Sequence, residues 1–176
     1  ALTILYLGGL DGRARVSSVS ITEKRIIPAR GNYFAVCSMN TSFSRKIIPA
    51  FYQLYMKYMG IDRFDDIWSG IFLKKIADNV GDLICIGSPA ARHVKRSRSV
   101  WKDLRAELEG MIINETLWKI VDQAEIGSKK YADAYIELAD NIAKRLGEFR
   151  EELHRKFLEA QVDRMRLWVE ALDKLA

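Results

Sequence analysis

Two adjacent carboxylates stand out in the stretch RFDDIWSG, residues 63–70. Asp65 and Asp66 directly precede an apolar run, where an aspartate can cap free backbone N–H groups and complement the helix dipole. One aspartate is enough for that role. The second is either a solvent-exposed residue or a functional group, such as a general base, a hydroxyl-binding residue or a metal ligand. The pattern leaves these alternatives open.

A basic loop at residues 92–102, RHVKRSRSVWK, follows a predicted strand and leads into a predicted helix. Arg92 and Lys95 at a helix N-terminus suit a phosphate or a diphosphate, although a solvated basic surface explains them equally well. A nucleic-acid groove has thin support, because no aromatic residues are interleaved along the cluster. His93 could complete a metal site begun by carboxylates elsewhere, whereas we expect His154, in the last helix, to be exposed.

A polar turn in CSMNTSFSR, residues 37–45, contains Asn40, which either shapes the turn or offers an amide to a sugar hydroxyl. The sequence has no Gly-rich phosphate loop, HExxH or GxSxG, so nucleotide hydrolases, zincins and α/β-hydrolases have no motif support. Cys37 and Cys85 lie in apolar runs, which predicts buried reduced thiols and a reducing compartment.

The overall composition is that of a globular protein. The 176 residues are 49% hydrophobic and 29% charged, with a net charge of +5 that does not demand a nucleic-acid partner. No apolar run approaches the ~20 residues of a membrane span, and the first residues make a poor signal peptide. Because the chain begins at Ala1 without an initiator Met, we expect a processed chain or a fragment.

The elements that would position these residues run from strands to helices. β-Branched and apolar runs predict strands within residues 1–45, and DLICIG predicts a short buried strand. Spacing, proline and glycine signals predict helices. They cover residues 49–60, 65–80, 99–126 with a soft break at Gly110, 129–146, and 148–176. We expect the last two to form an antiparallel hairpin whose apolar stripe is core rather than a coiled-coil seam.

Several of these segments, taken in order, resemble the reversibly glycosylated polypeptides, also known as UDP-arabinopyranose mutases. The family has a Cys-X-Met-Asn run, then an Arg-aromatic-Asp-Asp-aliphatic-Trp-small-Gly motif, then a Gly-X-Pro turn before a basic run. The corresponding segments here are CSMNTSFSR, RFDDIWSG and GSPAARHVKRS. The family's last helix also matches WVEALDKL at the end of this chain, and the resemblance covers residues from about Tyr33 onward.

The resemblance implies an α/β protein, the C-terminal half of a mixed sheet of the GT-A type, followed by a long helical hairpin. Residues 1–126 would be the acceptor or sugar side, and residues 127–176 the hairpin. The family binds UDP-sugars with Mn²⁺ or Mg²⁺, forms oligomers, and is cytosolic or peripheral to membranes. The chain contains no Asp-X-Asp metal motif, so we expect the nucleotide-binding half to be missing or to be a partner chain.

The resemblance also implies roles for single residues. Asp65 or Asp66 would hold or deprotonate a sugar hydroxyl, and Trp68 would line the sugar pocket. His93 would be the last metal ligand. Further substrate-binding candidates are Asn40, Arg63, Arg92 and Lys95.

The leading hypothesis is a UDP-sugar pyranose/furanose mutase or a self-glycosylating transferase. The alternatives are another GT-A glycosyltransferase, a non-catalytic subunit or scaffold of such an enzyme, and a basic nucleic-acid-binding domain.

Overall fold

Helices make up most of the chain that the computed structural model describes, which is residues 25–36, 38–55, 57, 59–87 and 99–175. The described elements are β1 (Arg25–Ile26), β2 (Ile86–Gly87), α1 (Asp65–Val80), α2 (Val100–Gln123), α3 (Tyr131–Lys144), α4 (Glu152–Asp173) and the 3-10 helices Ser38–Asn40, Arg45–Ala50 and Leu146–Glu148. No described helix combines the length and the hydropathy that a membrane crossing requires.

Helix α1 lies at the centre and is buried on nearly all sides between residues 67 and 77. Trp68 has no exposed surface, and its ring lies 5.2 Å from that of Phe64 and 5.9 Å from that of Phe157. Its indole N–H donates to Asn114 Oδ1 on α2 at 3.1 Å, so the one polar atom of this side chain is satisfied. The helix ends as its sequence predicts, at Gly81 with a φ of 94°.

A buried lysine fixes the segment before α1. Lys74 is 1% exposed, which is rare for a lysine unless it is paired. Its ammonium donates to the Asp78 carboxylate and to the Ala29 carbonyl, and Asp78 in turn accepts from Gly31 N–H. Burial of the ammonium is tolerated because it is paired and hydrogen-bonded.

Two glycines let neighbouring segments approach the helices closely. A Cβ on Gly70 would lie 2.7 Å from the backbone nitrogen and from Cγ2 of Val36. A Cβ on Gly110 would lie 2.2 Å from the ring of Phe64. Helix α2 runs through Gly110 without the break predicted from the sequence, and the glycine instead provides a flat surface for that ring.

The helix predicted for residues 49–60 is wrong. Residues 45–50 form a 3-10 helix and residues 51–55 are irregular. Side chains of neighbouring helices donate to three backbone carbonyls in this region, which holds the irregular segment against α1 and α4. The carbonyls of Ile48, Tyr52 and Tyr55 accept from Trp168, Ser69 and Gln161, respectively.

The described part contains little β-structure. Strands β1 and β2 pair antiparallel over two residues each, whereas the extensive mixed sheet expected from the resemblance is not formed within the described residues. The strands predicted for residues 1–24 lie outside them. Cys85 has an exposed free thiol rather than the buried one predicted, and Cys37 lies outside the described residues.

The two last helices, α3 and α4, pack against each other across the short connection through Leu146–Glu148. One hydrophobic core extends from Ala50 to Met165 and so includes residues on both sides of position 126. The division into parts 1–126 and 127–176 stays a prediction.

We predict that Gly70→Ala destabilises the protein by about 1–3 kcal/mol, because the new methyl group would overlap the Val36 backbone, which cannot rotate away. Urea denaturation followed by circular dichroism measures the free energy of unfolding. Gly147→Ala is the matched control. It has open space around its added Cβ and should be neutral or stabilising by up to about 1 kcal/mol. Equal effects of the two substitutions would contradict the close-contact argument.

Candidate functional site

An open groove of about 450 Å³ lies beside the N-terminus of α1. It contains charged, amide and aromatic side chains. We call it the Asp65 groove, and its lining residues are Gln53, Leu54, Tyr55, Lys57, Asp62, Arg63 and Asp65. The RFDDIWSG motif thus contributes two of its charged residues directly to a concave surface.

A tight loop forms one wall of the groove. Lys57 has a φ of 78° and Arg63 a φ of 65°. These are left-handed backbone conformations, which residues other than glycine rarely adopt. Lys57 N–H donates to the Ile61 carbonyl at 2.7 Å, and Gly60, also left-handed, closes the turn. Strained backbone of this kind persists only where surrounding contacts hold it, and it occurs often at functional sites.

The side chain of Arg63 makes contacts that hold the strained loop. Its guanidinium lies 2.6 Å from Asp103 and 3.0 Å from Glu107, two carboxylates one turn apart on α2. Its backbone N–H donates to Asp62 Oδ1 at 2.8 Å. The guanidinium is therefore already paired with two anions, and the structure favours a role for it in holding the loop against α2.

The two adjacent aspartates have different surroundings. Asp66 is half-buried, and its Oδ2 accepts from Ser38 N–H at 3.4 Å, which connects the CSMN turn to the start of α1. Burial raises the pKa of the Asp66 carboxyl above its ordinary value, and this effect outweighs the backbone hydrogen bonds that lower the pKa. Asp65 lines the groove instead. Both lie in the first helical turn, and the N-cap position itself belongs to Phe64.

Trp68 does not line a pocket in this structure. Its ring is fully enclosed by the core, so it has no free face on which a sugar could stack. Its role in the described chain is packing, which corrects the expectation drawn from the resemblance. Asn40 is exposed at the end of the 3-10 helix Ser38–Asn40 and is not among the residues that line the groove.

Three of the expected site residues, Arg92, His93 and Lys95, lie outside the described residues. The groove itself suits a hydroxyl-bearing ligand better than a metal ion. Its carboxylates are interspersed with cations, since Lys57 Nζ lies 3.9 Å from Asp62 Oδ2. Within the described residues, the groove brings together no group of three metal-binding side chains. The described part of the groove therefore offers no ligand set for the expected Mn²⁺ or Mg²⁺.

Sequence reasoning missed Tyr55, Lys57 and Asp62 in the groove. No motif marks them, because they belong to an irregular loop whose shape depends on α2 and α4. It also misjudged His154, which is 3% exposed and lies 2.7 Å from Glu109 Oε2 on α2. The two residues are 45 positions apart, so no local pattern could have paired them.

Known plant proteins are similar to this chain. It is 31% identical over 153 residues to a protein of Pisum sativum named probable UDP-arabinopyranose mutase 1. It is 29% identical over 153 residues to UDP-arabinopyranose mutase 1 of Arabidopsis thaliana and to that of Oryza sativa subsp. japonica. These alignments cover 83% of this chain and 40% of each relative, so the chain spans about two fifths of their length.

The family model for the reversibly glycosylated polypeptides matches residues 14–176, which is most of the chain. That range includes the CSMN turn and the RFDDIWSG motif with its groove-facing Asp65. The chain belongs to the reversibly glycosylated polypeptide family.

Proposed function

We propose that this chain supplies the sugar-side part of an enzyme that binds a UDP-sugar and interconverts its pyranose and furanose forms. The observation that carries the proposal is the position of Asp65, which faces an open groove from within the family's Asp-Asp motif. The names of the relatives, UDP-arabinopyranose mutases, support arabinose as the sugar.

The groove offers the chemistry that a sugar requires. The Asp65 carboxylate would accept a hydrogen bond from a sugar hydroxyl, or remove its proton if the hydroxyl reacts. Tyr55 is 54% exposed and can lay its ring against the C–H groups of a pyranose. Lys57, whose side chain is 76% exposed, is placed to donate to a hydroxyl or to an anionic oxygen. Arg63 would hold the loop of the groove in this conformation through its ion pairs with Asp103 and Glu107 on α2.

The other expectations from the family remain part of the proposal. They are a diphosphate bound by Arg92 and Lys95, Mn²⁺ or Mg²⁺ with His93 as a ligand, a partner half or chain that binds the nucleotide, an oligomeric assembly and a cytoplasmic location. The alternatives are another GT-A glycosyltransferase and a non-catalytic scaffold. A scaffold would keep the fold and fail to bind the sugar, which the following measurement distinguishes.

We predict that Asp65→Asn weakens binding of UDP-arabinopyranose about tenfold or more, because a hydrogen bond to a charged acceptor contributes about 1.5–3 kcal/mol. Saturation-transfer NMR with UDP-arabinopyranose, with and without Mn²⁺, reports contacts to the sugar and to the uridine separately. The variant should lose transfer to the sugar protons specifically. UDP alone should bind both proteins equally.

Asp163→Asn is the control for this measurement. Asp163 is an aspartate on α4 with a side chain that is 71% exposed, paired with Arg166, and it does not line the groove. Its substitution should leave transfer to the sugar unchanged. If Asp65→Asn binds the sugar as tightly as the unmodified chain, Asp65 is not the sugar-side residue. If the unmodified chain shows no sugar transfer either alone or together with the nucleotide-binding half, the scaffold alternative is favoured.

We predict a different effect for Asp66, whose pKa is raised in the folded protein. The folded state then holds this proton more tightly than the unfolded state, so stability falls as the pH rises from the ordinary aspartate value of 3.8 through the raised folded value. Asp66→Asn removes this fall while its amide oxygen still accepts from Ser38 N–H. Urea denaturation between about pH 3 and pH 7 should show the variant gaining stability relative to the unmodified protein. If the difference in free energy of unfolding between Asp66→Asn and the unmodified protein stays constant with pH, this account is contradicted.

A further inference from the structure

A second group of chemically capable side chains lies where α2 meets the start of α4. Glu109 comes from α2, Glu151 immediately precedes α4, and His154 lies in the first turn of α4. One potential ligand atom from each residue lies within 4.8 Å of the other two. Glu151 and His154 are three residues apart, a spacing that puts them on the same side of a helix.

The His154 ring is anchored in the position from which it would act as a ligand. It is 3% exposed, and Nε2 is the nitrogen directed at Glu109, at 2.7 Å from Oε2. Glu109 is partly exposed, with 34% of its side chain accessible, and Glu151 is exposed. The buried imidazole therefore lies beside two carboxylates that are themselves accessible to solvent.

A hydrogen bond explains why His154 and Glu109 lie close together, but it does not explain why Glu151 lies beside them. A neutral imidazole and two carboxylates carry a combined charge of −2, which matches a divalent cation. This charge also offsets the positive end of the α4 dipole, which would otherwise repel a cation at a helix N-terminus. The basic residues of the same turn are bonded elsewhere. Arg155 donates to the Phe149 carbonyl, and Lys156 pairs with Glu152.

We propose that Glu109, Glu151 and His154 bind a divalent transition-metal ion, with Zn²⁺ the best match. Ligand atoms at about 2.0–2.2 Å from Zn²⁺ lie roughly 3–3.5 Å apart. The His154–Glu109 pair must therefore open by a few tenths of an ångström, with the ion taking the place of the shared proton. The exposed Glu151 side chain can rotate inward to complete the set.

The donor atoms define which ions bind. One imidazole nitrogen with two carboxylate oxygens suits Zn²⁺, Co²⁺ or Mn²⁺; Mn²⁺ is the weakest binder of the series, and Zn²⁺ is commonly held by imidazole and carboxylate ligands in tetrahedral sites. Mg²⁺ and Ca²⁺ favour all-oxygen sites and should compete poorly. Three protein ligands leave at least one position for water or a ligand oxygen, which is the arrangement of open rather than closed zinc sites. The proposed metal site is separate from the Asp65 groove, and it does not depend on the function proposed for that groove.

The test is a titration of the full chain with Co²⁺, followed by visible absorption. We expect d–d bands that saturate at one equivalent, disappear on addition of Zn²⁺, and survive a large excess of Mg²⁺. Glu151→Gln should weaken Co²⁺ binding about tenfold or more, since even residues outside the ligand set change metal affinity by this amount. Because Glu151 is exposed, this variant should fold normally, and its circular dichroism spectrum checks that it does. His154→Asn should abolish the bands.

Matched controls locate the ion. Glu152→Gln changes the neighbouring exposed glutamate, which is paired with Lys156, and should leave the titration unchanged. Cys85→Ser removes an exposed thiol, and it too should have no effect. Bands that are absent from the unmodified chain, that persist in Glu151→Gln and His154→Asn, or that are lost with Cys85→Ser overturn the proposal.

Discussion

The close contact between Gly70 and the backbone of Val36 constrains how the start of α1 can be arranged. A side chain at position 70 would hold the two segments apart, because a Cβ there would lie 2.7 Å from Val36 N. With glycine, the chain before α1 lies directly on the helix, and two residues later Ser38 N–H reaches Asp66. Asp66 is thereby used to hold the turn, which leaves its neighbour Asp65 to face the groove.

The RFDDIWSG motif consequently both packs the core and lines the groove. Its sequence does not show which residue does which. Phe64 packs on Gly110, Trp68 fills the core, and Ser69 donates to the Tyr52 carbonyl, so these positions hold neighbouring segments to α1. Replacing a fully buried tryptophan by alanine removes about 3–5 kcal/mol of stability, so substitutions in the motif can abolish activity by unfolding the chain alone. Only measurements that separate folding from binding can assign chemistry to the remaining residues.

Periodicity predicted the four long helices well, because each has a continuous apolar pattern and a recognisable end, such as Gly81 after α1. It failed where backbone groups are satisfied by distant side chains. Residues 51–55 look helical in sequence, but Gln161 and Ser69 bond carbonyls in this segment instead. It also failed for His154, which is buried against a partner on another helix. Local patterns report which residues can face a core, and they carry no information about which polar residues will find a partner there.

Helix α2 connects the two regions that we consider functional, and its geometry explains how one helix serves both. Asp103 and Glu107 are four residues apart and hold Arg63, which shapes the groove. Gly110 and Asn114 are also four apart, and they face Phe64 at the N-cap of α1 and Trp68 within it. Glu109, two residues from Glu107, lies on a different side of the helix and meets α4 through His154. Because Arg63, in its strained loop, is held by Asp103 and Glu107, the same helix that supports the groove also supplies Glu109 to His154.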